Sequence, residues 1–221
     1  WCVPTITPLF IERMEDILTL YAKRYNPYEP VLCFDEKSKE LHAETRAVIP
    51  MTERRVRRRD YEYRRNGTAH LFVAVEPKGG YREVTVTRRR TKRDFAKEVR
   101  RIVALPRYRR ARKIHIVLDN LNTHFASSFR ETFGDDVTER LMKRMRFHYT
   151  PVHASWLNMA EIELSILSRQ CLNQRIPTRV ALRAAVRRWQ RRRNDADAMI
   201  QWTWTTADAR RVFKYRSAKL I

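Results

Sequence analysis

Two stretches decide how this chain folds: Ile114–His124, IHIVLDNLNTH, and Phe147–Glu163, FHYTPVHASWLNMAEIE. The first is a short apolar run of buried-strand type that ends on a carboxylate, Asp119. The second opens as another strand, turns at Pro151, and enters a helix from about Leu157 that carries Glu161. Upstream, Val31–Glu36 (VLCFDE) sets a third acid, Asp35, at the end of one more apolar run. Open α/β sheets bind their ligands at the carboxyl ends of strands. Magnesium takes oxygen ligands, usually one or two carboxylates with phosphate and water. Two such ions side by side can activate a nucleophile and steady a leaving oxygen. On this reading Asp35 and Asp119, on neighbouring strands, share one ion, and Glu161 closes the second.

Glu161 has a rival in Glu163. Side chains two apart on a helix point away from each other, so only one can face the site, and Glu161, nearer the helix start, is favoured. Glu36 follows Asp35 along a strand and should face the opposite side. Asp135 and Asp136, in Gly-Asp-Asp, read as solvent or cap residues. Asn120, Asn122 and His124 cluster after Asp119, where polar groups can orient a carboxylate, water or phosphate; for His124 a plain structural role stands equally open. His148 and His153 lack a partner set, and the scattered Cys2, Cys33 and Cys171 have no C-x-x-C spacing, so neither zinc nor a disulfide frame is expected.

In 221 residues, 47 Lys and Arg stand against 25 Asp and Glu, a net charge of +22. That excess points to a polyanion partner, with nucleic acid the default, and the preponderance of Arg favours bidentate phosphate contacts. GC-rich codons are the bland alternative explanation for the arginines. The 43% hydrophobic content fits one sizeable folded domain. No apolar run reaches the ~18–20 residues of a membrane span, and the first ten residues do not read as an export signal. The absence of an initiating Met suggests a piece cut from a longer chain.

Residues 11–22 place Ile11, Met14, Ile17, Leu18 and Tyr21 on one helical face. Residues 41–65, with RRVRRRDYEYRR, read as an irregular extension or hairpin, lying on DNA or simply solvated. Two β-rich runs, 68–76 and 81–87, flank Pro77-Lys78-Gly79-Gly80 as a hairpin. A helix follows at 91–105, opened by Thr91-x-x-Asp94 as a capping box with Asp for Glu. Then come a strand at 114–119, a helix to about 132, a strand at 146–150 and a helix at about 157–172. After Pro177 a helix turns Leu182, Ala185, Val186 and Trp189 inward, and a last short helix starts near Thr206. The order β, β-hairpin, α, β, α, β, α predicts an α/β, ribonuclease H-like fold, a mixed sheet with helices on both faces. The expected division is 1–30 as a lead-in helix and linker, 31–175 as the catalytic unit, and 176–221 as a basic helical extension. Arg54, Arg55, Arg57, Arg58 and Arg59, then Arg187, Arg188, Arg191 and Arg192, are the expected phosphate contacts.

LDNLNTH (118–124) and HYTPVHASWLNMAEIELSILSRQCL (148–172) resemble the DDE transposases of the insertion sequence 630 family, relatives of the mariner-type elements. The family's Asp-Asn-x-x-x-His pattern is matched by Asp119, Asn120 and His124, its Leu-Asn-x-x-Glu pattern by Leu157, Asn158 and Glu161, and its first acid by Asp35. DYEYRRNGTAHLF (60–72) and TTADAR (205–210) extend the likeness over most of the chain. Two departures stand out: 41 residues separate Asp119 from Glu161, longer than is usual for mariner relatives, and Met159 replaces the common Pro.

The resemblance implies Mg²⁺ or Mn²⁺ held as two ions by Asp35, Asp119 and Glu161, with Asn120, His124 and Asn158 orienting them. It implies hydrolysis at insertion-sequence ends and attack of the freed 3′-hydroxyl on target DNA, typically at TA. The expected partners are double-stranded DNA and a second copy of the chain, and the expected location is the bacterial cytoplasm, at the nucleoid. Such proteins normally carry an N-terminal helix-turn-helix region, so this chain is expected to lack most end recognition. Two rival readings remain: a ribonuclease H-like nuclease without strand transfer, and a non-catalytic DNA-binding remnant. A haloacid-dehalogenase-type phosphatase lacks its Asp-x-Asp pair at Asp35-Glu36-Lys37.

Overall fold

A computed structural model describes residues 5–119 and 126–215. Five strands form one sheet: β1 (Val31–Glu44), β2 (Tyr63–Glu76), β3 (Tyr81–Thr87), β4 (Ile114–Leu118) and β5 (Met145–Tyr149), in the order β3-β2-β1-β4-β5. β1 pairs antiparallel with β2 and parallel with β4, and β5 extends the parallel part. The helices are α1 (Pro8–Ala22), α2 (Lys92–Val103), α3 (Ala126–Phe133), α4 (Asp135–Arg144), α5 (Met159–Leu167), α6 (Arg179–Asp195) and α7 (Thr206–Phe213). Among the described residues, no helix is long and apolar enough to cross a membrane.

Strand alternation assigns the faces. Leu32, Phe34, Phe72, Ala74, Ile116 and Leu118 look toward α2, α3 and α4. Cys33, Val75 and Val117 look toward α1 and the start of α5, while Leu71, Val73, Val84 and Val86 pack under the rest of α5 and under α6. The mixed sheet with helices on both faces is therefore as expected. So are the hairpin, which turns at Gly80 with φ 62°, and the Thr91–Asp94 capping box that starts α2.

Three elements differ from expectation. β1 continues nine residues past Asp35, because KSKELHAE pairs with β2 through Glu44↔Tyr63, across an irregularity between Glu40 and His42. Its exposed polar side chains hide a strand whose backbone is nonetheless satisfied. Only 45–62 then remains as an arm, closed by isolated bridges at Ile49↔Arg58 and Thr52↔Arg55. The extra length after α3 is a further helix, α4, with Gly134 at its start in the left-handed region (φ 77°). Asp135 and Asp136 occupy its first turn and Lys143 and Arg144 its last, the charge order that complements a helix dipole. Finally, the helix expected over 157–172 is three pieces: a 3₁₀ turn at Ser155–Leu157, α5, and a π-helical turn at Ser168–Leu172.

Candidate active site

Asp35 and Asp119 come together through strand register. β1 and β4 run parallel, and their last pair is Cys33↔Val117. Two residues further along the chain from each lie Asp35, still on β1, and Asp119, just past the end of β4. Asp35 is buried and its Oδ1 accepts the Glu36 backbone N–H at 2.7 Å. Asp119 stands one residue past the end of β4, half-buried. Glu36 looks to the other side, where Arg90 approaches it at 3.8 Å.

One clip fastens the start of α5, the helix that carries Glu161, to β1. Asn158, fully buried, caps α5: its Oδ1 accepts the Ala160 N–H at 3.2 Å, and its Nδ2 donates to the Phe34 carbonyl at 2.9 Å. Phe34 immediately precedes Asp35, so the cap that starts the helix also fastens that start to β1. Tyr21 of α1 adds a second tie, its hydroxyl donating to the Leu157 carbonyl at 2.8 Å. Glu161 then falls in the first turn of α5, exposed. There the helix dipole favours a carboxylate.

Glu163 is committed elsewhere. It has no exposed surface, and its Oε1 accepts from Arg82 Nε at 3.1 Å and from Arg193 Nε at 3.0 Å. Arg82, equally buried, also donates to the carbonyls of Gly80 and Arg193, each at 2.8 Å, and to that of Ala198. Burial pulls the Arg82 pKa down and Glu163 opposes the shift, so the guanidinium stays charged within a satisfied network. This lock sets the rotation of α5 about its axis and leaves Glu161 on the outer side.

Among the described residues, no group of three His, Cys, Asp or Glu side chains is gathered closely enough to hold a metal ion. The chemistry of the three acids nonetheless fits a hard divalent cation, since every donor they offer is a carboxylate oxygen. Asn120 and His124 lie outside the described residues. His148 sits on the α1 side, against Asp16 at 2.5 Å and His115 at 2.8 Å.

The predicted phosphate contacts form two exposed groups. Arg54, Arg55, Arg57, Arg58 and Arg59 lie on the 45–62 arm, and Arg187, Arg188, Arg191 and Arg192 flank the buried stripe of α6. The arm is rooted by a residue the sequence did not single out, Arg175, which donates to Glu44 at 2.6 Å and to the carbonyls of Tyr61 and Glu62 at 2.7 and 2.8 Å. Arg82 and Tyr21 were likewise missed as positioning groups. A signal existed for Arg82: it alternates with Val84 and Val86 on the inward face of β3, where an arginine must find partners.

A model of the DDE superfamily endonuclease family matches residues 30–183, which is more than half of the chain. The chain belongs to the DDE superfamily of endonucleases. A search of curated proteins found no match. Among solved structures, this DDE chain is similar to the Mos1 mariner paired end complex with Mn (15% identity, TM-score 0.56, 90% of this chain and 60% of that one). It is also similar to the Mos1 strand transfer complex (16%, TM-score 0.56, 90% and 59%) and to the paired end complex with Mg (17%, TM-score 0.52, 91% and 60%). At such identities the likeness establishes the fold, which is ribonuclease H-like, as expected from the element order. The DDE chain spans about three-fifths of the length of those relatives.

Proposed function

We propose that this chain is the catalytic domain of an insertion-sequence transposase of the insertion sequence 630 type. It cuts phosphodiesters at the element ends and joins the freed 3′-hydroxyl to target DNA, typically at TA. Asp35, Asp119 and Glu161 are the proposed catalytic and metal-holding residues. The observation that carries this reading is the parallel register that sets Asp35 beside Asp119, with α5 clipped to the same strand by Asn158. Solved relatives bear manganese or magnesium, which supports Mg²⁺ or Mn²⁺ here; the proposed number is two. Bound ions would supply charge neutralisation at the reacting phosphate and a more acidic water. The chain's own part is placement: the two strands fix two carboxylates, the Asn158 clip fixes the height of the third, and the Arg82–Glu163 lock fixes its direction. Exposed arginines on the arm and on α6 neutralise the DNA backbone without reading bases. Asn120 and His124 are proposed to orient the carboxylates, the active assembly is a dimer on double-stranded DNA, and the site of action is the bacterial nucleoid. Residues 31–175 form the catalytic unit in this proposal, with 1–30 as its lead-in and 176–221 as its basic extension.

The test is cleavage and joining on labelled, pre-nicked element-end DNA, comparing wild type with Asp119→Ala and Glu161→Ala in Mg²⁺, Mn²⁺ and EDTA. Joined products that vanish in both variants and in EDTA are expected. Cleavage without joining identifies a nuclease only, and DNA binding without any metal-dependent product overturns the catalytic assignment.

A further inference from the structure

Away from the acids, three side chains on the α1 side form a relay that runs inward from the exposed Asp16. Asp16 of α1 accepts the Nδ1–H of His148 on β5 at 2.5 Å, and His148 Nε2 lies 2.8 Å from Nδ1 of His115 on β4. The two rings are 3% and 8% exposed. Asp16 and His115 between them engage both ring nitrogens of His148, and the same bond uses Nδ1 of His115. His115 is left with one uncommitted ring nitrogen, Nε2. Burial, the largest cause, keeps His115 neutral, its pKa lowered to about 4. Among the described residues, that Nε2 has no hydrogen-bond partner.

His115, its Nδ1 engaged, also lines a cavity of about 170 Å³ walled by Leu20, Tyr21, Val31, Pro77 and Met159. A void of about 150 Å³ takes one benzene ring. Cations outnumber carboxylates at the mouth. Lys23 and Arg24 stand against Glu29, Glu76 is held by Arg107 at 2.7 Å, and the Lys78 ammonium is spent on the carbonyls of Tyr21 and Lys23. Inside that rim the walls are apolar, which favours a neutral ring over an ion.

We propose that this cavity binds a neutral, single-ring aromatic molecule whose one hydroxyl pairs with His115 Nε2. The apolar walls hold the ring and Nε2 selects the hydroxyl. The site lies at the amino ends of β1 and β4, where Val31 pairs with His115, away from the acids at the carboxyl ends. Two of its walls nonetheless reach the acid edge: Tyr21 holds the Leu157 carbonyl and Met159 begins α5. A bound ring therefore bears on the turn that presents Glu161. That consequence rests on the function proposed above; the binding does not.

Calorimetric titration with phenol and with toluene tests the site on wild type, His115→Phe and Val31→Phe. Phenol should bind wild type about tenfold more tightly than toluene. His115→Phe should erase that preference while still taking toluene. Val31→Phe, which leaves the relay intact and fills the void, should bind neither. Equal affinity of wild type for both probes overturns the role of His115, and no saturable binding of either by folded wild type overturns the site. DNA cleavage is assayed separately, so a chain that separates phenol from toluene yet never cuts DNA breaks the catalytic reading and leaves the cavity assignment standing.

Discussion

The two faces of the sheet are built from different chemistry. Toward α2 and α3 the core is a run of aromatic contacts, with Phe95 5.5 Å from Phe34 and 5.8 Å from Phe129, ring centre to ring centre. It buries two acids, Glu76 and Glu98, each paired with an arginine that is over a third exposed and so reaches water. Toward α1, α5 and α6 the interior carries Arg82, Glu163, Asn158, His115 and His148, all buried. Apolar packing tolerates exchange of shapes, whereas a polar network stands only if every member is satisfied. The first face supplies cohesion, and the second fixes where particular groups point. All three candidate acids hang from the second.

The sharpest way to break this contrast is Glu163→Ala. It strands the Arg82 guanidinium in the interior and should cost about 3–5 kcal/mol of stability, read by urea unfolding. A loss below about 1 kcal/mol would mean that the polar face specifies nothing. Replacing both partners, Arg82→Met with Glu163→Leu, should recover most of the loss, because no charge is then left unpaired.

Acid is the next strongest lever. His115 has its pKa lowered from 6.5 to about 4 on folding, so the unfolded chain binds the extra proton first. The stability it contributes is complete above 6.5 and drains away as pH falls toward 4, by roughly 3 kcal/mol in all. Asp16, lowered chiefly by its hydrogen bond to His148, adds a further loss below its ordinary value of 3.8. Unfolding measured across that range should slope in wild type and flatten in His115→Phe.

On the aromatic face, Phe95→Leu should cost only about 1 kcal/mol, because neighbouring rings can close on a side chain of similar volume. A cost near that of Glu163→Ala would erase the distinction between the faces. The smallest effect is expected outside both. Charge reversal at Arg57, Arg58 and Arg59 should leave stability unchanged and lower the salt slope of DNA binding by about 0.9 for each phosphate no longer neutralised. An unchanged slope would put the arm off the DNA.

The same division explains what could be read from the sequence. Apolar runs and turn chemistry made the central strands, the Gly79-Gly80 hairpin and the Thr91 cap legible, because each is a local pattern. The acids were legible for a similar reason: Asp35 and Asp119 end apolar runs, and Asn158 three residues before Glu161 is a helix-cap spacing. The outer half of β1 was not, since KSKEL shows little strand alternation and is ordered by pairing with β2. Nor was α4, whose apolar stripe is thin. The Arg82–Glu163–Arg193 lock joins residues from three distant segments, and only tertiary contact could reveal that Glu163 was already taken. His148 lacked visible partners for the same reason, Asp16 being more than a hundred residues away.

That lock has a bearing on the order in which the chain is made. β1, β2, β3 and β4, with Arg82, leave the ribosome before α5, but Arg193 follows Glu163 by 30 residues. A nascent chain that has just released α5 therefore carries all three acids while the inner carboxylate of that helix has only part of its partners. The carbonyls that bind Arg82 at Arg193 and Ala198 do not yet exist. Domains settle as units during synthesis. A product terminated before Arg193 would carry all three candidate acids while Glu163 kept only its bond to Arg82.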